Sequence, residues 1–293
     1  MRSSRSVLME SNQVSDRIEF TDIKNEYIDV EDAREMSGLR MVLGAYPIPG
    51  PWRESCKGIF YVKGLSYTSV KTANRGESDL GLGMDGSQSE LISWTSQSSA
   101  PVAIWQNERP RFTWSDQLNL AERLEPEPRL VPENAADRVL MFGLINELAG
   151  EFGAGWMGRH ILVKTGYRVA AESNGDTSLW DALAEKYGYS EKAAEASNAR
   201  IAGVFNQLNE QLAAQKKIGS KYLIGDSLSA LDIYHACFFC LFKPMEQKRC
   251  PMATDFRPFY ECSENEVLKS LSPSLEEHRD YIYNNYLELP IVF

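Results

Sequence analysis

The five cysteines and three histidines of this sequence are the side chains with the widest range of chemistry, from thiol redox reactions to metal binding. Cys237 and Cys240 have CxxC spacing, and His235 and Cys250 lie near them in the sequence. The pair falls inside an apolar helical pattern, whereas reactive cysteine pairs lie at a helix N-terminus. The stretch 236–242 also has no turn residues that would bring zinc ligands together. We therefore expect neither a redox pair nor a metal site there.

The remaining cysteine and histidine positions, and the motifs for phosphate binding and nucleophilic catalysis, indicate no reactive site either. Cys56 lies one turn inside a predicted helix, on its apolar face, where a buried and inert thiol is expected. His160 and His278 are too far from each other and from His235 to form a ligand motif or a catalytic triad. The sequence has no glycine-rich phosphate loop and no GxSxG nucleophile elbow.

Charge and length exclude several classes of function. The chain has 293 residues with 31 Lys+Arg against 41 Asp+Glu, a net charge of −10. Nucleic-acid binders need a basic surface, so we expect no nucleic-acid partner. No apolar run approaches the ~18 residues of a membrane span, and no signal-peptide pattern follows Met1. An odd number of cysteines is typical of reduced thiols. We expect a cytoplasmic protein with no membrane partner.

Strands and helices alternate in the first half of the chain. Strands are predicted at 39–45, 67–71, 100–105 and 111–112, and helices from 51 to the stop at 64, around 88–95, and up to about 124. Pro51 suits the first helical position and Gly64 the helix end. A strand–helix–strand unit of this length predicts a parallel pair with a crossover helix. The pattern is βαβ, an irregular segment, then ββα.

The second half has helical periodicity throughout. Prolines at 126 and 128 form a stiff linker, after which apolar residues recur at helical spacing, as at Leu140, Leu144 and Leu148. Ser229 and Asp232 predict a capping-box helix start. The apolar tail 287–293 is expected to dock on the body. At the other end, residues 1–37 are predicted to be a partly disordered extension on the domain edge, with a short strand at 18–21.

Three of these features together resemble the glutathione transferases. They are the proline that opens the third strand, Pro101, the linker 126–132 (PEPRLVP), and the segment 225–232 (GDSLSALD). The match covers roughly residues 38–245. The resemblance implies an α/β thioredoxin-like N-terminal domain (38–125) that binds glutathione, followed by an all-α C-terminal domain (126–293). It also implies a homodimer packed across the domain junction.

The resemblance assigns roles around the glutathione sulfur. Pro101 would be cis and would present the backbone of Ala100 to the glutathione cysteine. Gly50 stands where Ser- and Cys-type members carry their catalytic side chain, and Tyr46 stands at the Tyr-type position. The sulfur would be activated by the Tyr46 hydroxyl or by the backbone N–H groups of Trp52 and Arg53 at the helix N-terminus. Tyr46 can alternatively be a loop tyrosine that packs on prolines, and Gly50 a helix cap.

The two ends of glutathione are less well matched. The family's Glu/Asp-Ser pair falls at Thr113-Trp114, with Ser115 and Asp116 one residue later, so the γ-glutamyl contacts have shifted or differ. Ser115 and Asp116 can equally be the N-cap and first-turn acid of the next helix. Candidates for the glycine carboxylate are Gln97 and Arg53.

The resemblance also implies which residues would bind the second substrate, the acceptor of the glutathione thiolate. Residues 151–158 are glycine-rich and precede Arg159 and His160, where the second helical segment faces the cleft. Trp156, Arg159 and His160 are the predicted substrate residues, and Trp114 is a predicted glutathione-site residue. Tryptophans 52, 94, 114 and 156 line a cleft or pack in the core.

The function implied by this resemblance is transfer of the glutathione thiolate to a small apolar electrophile, with glutathione as co-substrate and no metal. Two other hypotheses about the function stay open. Loss of the Ser/Cys position and of the Glu-Ser pair favours a non-catalytic binding or assembly protein. Glutathione-dependent isomerisation or reduction would use the same pocket.

Overall fold

In the computed structural model, the residues described are 26–43, 49–72, 88–252 and 256–292. They form a small mixed α/β unit followed by a larger all-helical one, the fold class that the sequence predicts. The predicted strand at 18–21 and Tyr46 lie outside the described residues. No helix among the described residues is both long enough and apolar enough to cross a membrane.

The sheet has four strands in the order β1-β3-β2-β4. The strands are β1 (Tyr27–Ile28), β2 (Leu39–Val42), β3 (Thr68–Val70) and β4 (Val102–Trp105). β3 pairs in parallel with both β1 and β2, as the predicted crossover requires, and β2 pairs antiparallel with β4. The predicted strand at 111–112 is reduced to one bridge, between Arg111 and Ala103.

Helices flank this sheet on both faces. They are α1 (Val30–Glu35), α2 (Pro51–Val62), α3 (Ser89–Thr95) and α4 (Trp114–Leu124). Pro51 is the first residue of α2 and Gly64 follows its C-terminal end, as predicted. Gly64 has φ +67°, a conformation that favours glycine. β1 and α1 come from the segment assigned to an extension. There Val30 and Ala33 are buried against the sheet, so part of that segment completes the α/β unit.

The helical unit contains α5 (Ala135–Ala149), α6 (Ala154–Ser173), α7 (Ser178–Tyr187), α8 (Glu191–Lys217), α9 (Ala230–Phe239), α10 (Arg257–Tyr260), α11 (Asn265–Ser270) and α12 (Pro273–Tyr286). One cluster of buried apolar residues extends from β2 and α2 into α5, α8 and α9, so the two units share a core. Cys56, Ile59 and Phe60 supply the α2 side of it, as their helical spacing predicts.

The predicted capping box marks the start of α9. The Asp232 carboxylate, fully buried, accepts from the Ser229 N–H at 2.8 Å and the Ser229 hydroxyl at 2.7 Å. It also accepts from the Leu223 N–H at 2.7 Å and lies 2.9 Å from His278 Nε2. A carboxylate with this many donors can be buried at the positive end of the helix. At the chain end, Ile291 is buried and its N–H donates to the Arg249 carbonyl.

Candidate functional site

Two adjoining cavities, of about 800 and 640 Å³, open between the α/β unit and helices α6 and α7. They share Trp52, Ser99, Ala100, Lys186 and Tyr187 in their lining, and we call the two together the central cleft. The α/β wall comes from the end of β2, the start of α2 and the loop before β4. The helical wall comes mainly from α6 and α7.

The N-terminus of α2 opens onto this cleft. Gly50 is the N-cap residue, and its carbonyl accepts from the Glu54 N–H at 2.8 Å. Gly50, Trp52 and Arg53 all line the cleft, so the partial positive charge of a twelve-residue helix points at its contents. The Trp52 indole N–H donates to the Ala149 carbonyl at 2.7 Å, which fixes the ring between the two units.

The loop before β4 forms the next part of the same wall. The Ala100–Pro101 peptide bond is cis, and both residues line the cleft. The buried Gln117 amide, on α4, donates to the Pro101 carbonyl at 2.9 Å and to the Arg111 carbonyl at 3.3 Å. Gln117 therefore ties the proline loop to α4 and to the bridge residue Arg111. Gln117 carries no signal in the sequence, because nothing in the local pattern shows which side of α4 meets this loop.

Three cations line the cleft in a chain whose net charge is −10. Arg53 is buried and its Nε lies 3.0 Å from the Glu54 carboxylate, which also pairs with Lys57 at 3.1 Å. Lys186 lies at the exposed rim, 5.6 Å over the Tyr187 ring. No aspartate or glutamate is among the described residues that line either cavity. The described lining of the cleft therefore carries positively charged side chains in an otherwise acidic protein.

Arg159, on α6, is the cation with the most unusual surroundings. It is 8 % exposed, and its guanidinium lies 5.6 Å from the Trp52 ring and 6.0 Å from the Tyr187 ring. Its Nη1 donates to the Tyr260 hydroxyl at a long 3.5 Å, and its Nε has no hydrogen-bond partner. Burial lowers the pKa of Arg159, but Tyr260 and Tyr187 together raise it by more, so the side chain stays charged.

Most of the predicted site residues line this cleft. They are Gly50, Trp52, Arg53, Gln97, Ala100, Pro101, Trp114, Trp156 and Arg159. Tyr46 lies outside the described residues, so its role stays a prediction. Lys186, Tyr187 and Tyr260 line the cleft without having been predicted. Their helical segments carry no motif that could have identified them.

His160 is not in the cleft lining, although it follows Arg159. Its Nε2 donates to the Tyr187 carbonyl at 2.9 Å, and its Nδ1 lies 3.2 Å from the Ser197 hydroxyl. The ring is buried and both nitrogens have protein partners, so its place is structural. The glycines before it are also structural. A Cβ on Gly155 or Gly158 would collide with the ring of Phe238 or Phe242, so these glycines let the α6 backbone pack directly against the two rings.

Ser115 and Asp116 lie in the first turn of α4, outside the cleft lining. The N-cap is Thr113, whose hydroxyl accepts from the Asp116 N–H at 3.2 Å, so the alternative with Ser115 as N-cap is wrong. Both carboxylate oxygens of Asp116 are 3.2 Å from Arg109, and this pairing lowers the pKa of Asp116. Any role of Asp116 toward a ligand therefore has to compete with Arg109.

The cysteines do not present a reactive thiol to the cleft. Cys237 and Cys240 lie in the buried α9 region, where burial raises the pKa of Cys240 to about 11 and that of Cys237 well above its usual value. Burial likewise raises the pKa of Cys56. A thiolate is disfavoured at all three. In the part of the chain that the structure describes, no group of three or more His, Cys, Asp or Glu residues is placed to hold a metal.

Comparison with known proteins finds matches in three-dimensional structure but none in sequence. No protein-family model matches the sequence, and no curated protein matches it. Solved structures do match. A glutathione S-transferase from Xanthobacter autotrophicus Py2 aligns with a TM-score of 0.55 at 11% identity, covering 87% of this chain and 97% of that one. A glutathione transferase family member from Pseudomonas fluorescens Pf-5, with two glutathione bound, gives 0.55 at 13% identity, covering 87% and 94%.

A third match, rice GST1 in complex with glutathione, gives a TM-score of 0.52 at 14% identity, with 87% of this chain and 94% of that one covered. The chain has the glutathione transferase fold. Relative to the βαβ–ββα unit expected from the resemblance, this glutathione transferase fold carries an extra edge strand, β1, paired in parallel with β3. The second strand of the ββ pair is shortened to the bridge at Arg111.

Proposed function

We propose that this chain binds glutathione in the central cleft and transfers its thiolate to a small, largely apolar electrophile. The observation that supports this most directly is the meeting of three features in one cleft. These are the α2 N-terminus at Gly50, the cis Ala100–Pro101 peptide, and an apolar helical wall that includes Leu162 and Leu183. The solved structures of this fold with glutathione bound support the same ligand.

In this proposal the backbone of Ala100 aligns the glutathione cysteine, and the sulfur lies near the α2 N-terminus. A free thiol titrates near ~8.5, so the site must favour the thiolate. The positive helix end does so, as would the Tyr46 hydroxyl. The thiol proton leaves to solvent, and the sulfur lone pair forms the C–S bond. The displaced group departs with its electron pair, or, on addition to a double bond, the neighbouring carbon takes up a proton.

Glutathione's carboxylate ends meet a cleft with positive charge. Gln97 and Arg53 are the proposed partners of the glycine carboxylate. Trp114 is the proposed neighbour of the γ-glutamyl end, with Ser115 and Asp116 one helical step away and Asp116 shared with Arg109. That sharing is the specific observation favouring the second candidate, a non-catalytic binding or assembly protein. Isomerisation or reduction with glutathione would use the same cleft, and product analysis distinguishes them from transfer.

The proposal also includes a homodimer, in which α5 would contact a second copy. α5 is apolar around most of its circumference, and it leaves Val139 73 % and Leu140 38 % exposed. Apolar side chains exposed on adjoining sides of one helix add to an apolar surface that a partner can cover. The dimer expected from the resemblance supports a second copy as that partner.

Calorimetric titration of the full chain with reduced glutathione tests the binding step. We expect saturable heat with a Kd in the micromolar-to-millimolar range, because the cleft offers the Ala100 backbone to the cysteine and Gln97 and Arg53 to the glycine carboxylate. Turnover of a chloronitrobenzene electrophile, followed by absorbance, then tests transfer. The absence of heat and of any thermal shift at high millimolar glutathione would contradict the proposal and favour the non-catalytic reading.

Tyr46→Phe separates the two ways of activating the sulfur, with Tyr61→Phe, on the exposed side of α2, as the matched control. If the Tyr46 hydroxyl stabilises the thiolate, the variant loses turnover of the chloronitrobenzene and keeps glutathione affinity. If the α2 N-terminus does so, turnover is unchanged. The thiolate absorbance of bound glutathione, recorded against pH, reports the same difference without relying on turnover.

A further inference from the structure

The helical wall of the central cleft combines an apolar surface with one buried arginine. Leu162, Leu179, Trp180, Leu183 and Phe256 form the apolar part, and Arg159 is set among them. Burying a guanidinium costs free energy unless it is paired, so a buried arginine ordinarily has a carboxylate partner. Among the described residues, Arg159 has none within ion-pair distance, and its Nε has no hydrogen-bond partner.

The other cation buried in this cleft is arranged differently. Arg53 lies 3.0 Å from the Glu54 carboxylate, so its guanidinium has an anionic partner within the protein. Arg159 instead contacts only neutral groups, the Trp52 and Tyr187 rings and the Tyr260 hydroxyl. These contacts hold the guanidinium in place, and none of them, among the residues that the structure describes, supplies a negative charge. An anion that enters the cleft with an apolar body would supply the missing negative charge and accept hydrogen bonds from the guanidinium N–H groups that face the cleft.

We propose that the acceptor of this chain is an apolar carboxylate, with its carboxylate on Arg159 and its apolar body against Trp180 and the leucines of α6 and α7. This inference rests on the proposed function, because it assumes that the chain transfers glutathione to an acceptor. It narrows the class of acceptor from any apolar electrophile to an apolar electrophile that carries a carboxylate. A planar guanidinium suits a carboxylate because it presents parallel N–H donors. Lys186, at the rim, adds attraction for an anion that approaches from solvent.

Binding of naphthylacetate and of its neutral counterpart naphthylacetamide, measured by quenching of the cleft tryptophans, tests the proposal. The two probes share shape and apolar area and differ in charge. We expect the full chain to bind the carboxylate at least about tenfold more tightly, since a hydrogen bond to a charged group adds that much affinity. The preference should persist from about pH 6 to about pH 9, because arginine stays protonated there.

Variants assign the preference to one side chain. Arg159→Met should abolish it while leaving glutathione affinity and naphthylacetamide affinity unchanged, and Arg159→Lys should keep part of it. Arg168→Met, on the exposed side of the same helix and paired with Glu172, is the matched control and should behave as the unmodified chain. If Arg159→Met does not fold, the probe pair in the unmodified chain and in Arg159→Lys decides the question.

Three results would overturn the proposal. They are equal binding of the two probes by the unmodified chain, a preference that survives in Arg159→Met, and a loss of glutathione affinity in that variant as large as its loss of naphthylacetate affinity. The last would assign Arg159 to glutathione itself. Failure of the proposed function looks different, because it appears as absent glutathione binding in the separate titration, whether or not the carboxylate is preferred.

Discussion

At the scale of single residues, the shape of the cleft depends on hydrogen bonds that bury polar side chains. The Gln117 side chain is 2 % exposed, and its amide N–H groups donate hydrogen bonds to the carbonyls of Pro101 and Arg111. Gln117→Met keeps the volume and removes the donor. We expect it to lower the free energy of unfolding by about 1–3 kcal/mol, because two buried carbonyls lose their partner. Urea denaturation measures the change.

The same substitution should weaken glutathione binding, since the proline loop would lose its tie to α4. Asn119→Met, on the exposed face of the same helix, is the control, and its stability should stay within about 0.5 kcal/mol of the unmodified chain. If both variants unfold at the same urea concentration, Gln117 does not hold the loop.

At the scale of elements, glycines decide how closely the helices that build the cleft can pack. A Cβ on Gly166, in α6, would overlap the Trp180 ring of α7, whereas a Cβ on Gly203, in α8, would meet nothing within 4 Å. Gly203→Ala should raise the free energy of unfolding by about 0.5–1 kcal/mol, because alanine is the better helix former. Gly166→Ala should lower it by about 1–3 kcal/mol through overpacking.

This pair of alanine variants separates helix propensity from packing, and urea denaturation of both gives the comparison. Because Trp180 also lines the cleft, Gly166→Ala should change tryptophan fluorescence, and Gly203→Ala should not. Equal stabilisation by both substitutions would mean that α7 moves away from α6 at no cost.

At the scale of the whole molecule, the exposed apolar face of α5 predicts the oligomeric state. We expect light scattering to give twice the 33.1 kDa chain mass. Val139→Glu should shift the mass toward one chain, because a charge buried in an apolar contact is costly. Val169→Glu, at a 37 %-exposed site on α6, is the control and should leave the mass unchanged. A single-chain mass for the unmodified protein would contradict the proposed homodimer.

From Leu39 onward, the sequence by itself determined the alternation of elements in the α/β unit and several of their ends. The alternation of strands and helices, Pro51 at a helix start and the Ser229–Asp232 box depend on local periodicity and on short-range hydrogen bonds, which a single segment encodes. It also determined the place of Pro101, and with it the resemblance that led to the fold. Contacts between segments that are distant in the chain leave no local pattern in the sequence. The pairing of β1 with β3 is one such contact.

The tertiary structure decided which side chains meet in the cleft. Arg159 and His160 are adjacent, but successive residues point about 100° apart around a helix, so only the packing of α6 directs one into the cleft and the other against Tyr187 and Ser197. The pairing of Asp116 with Arg109 depends likewise on where the chain returns. Local pattern sets periodicity within an element, whereas orientation between elements follows from the core that they share.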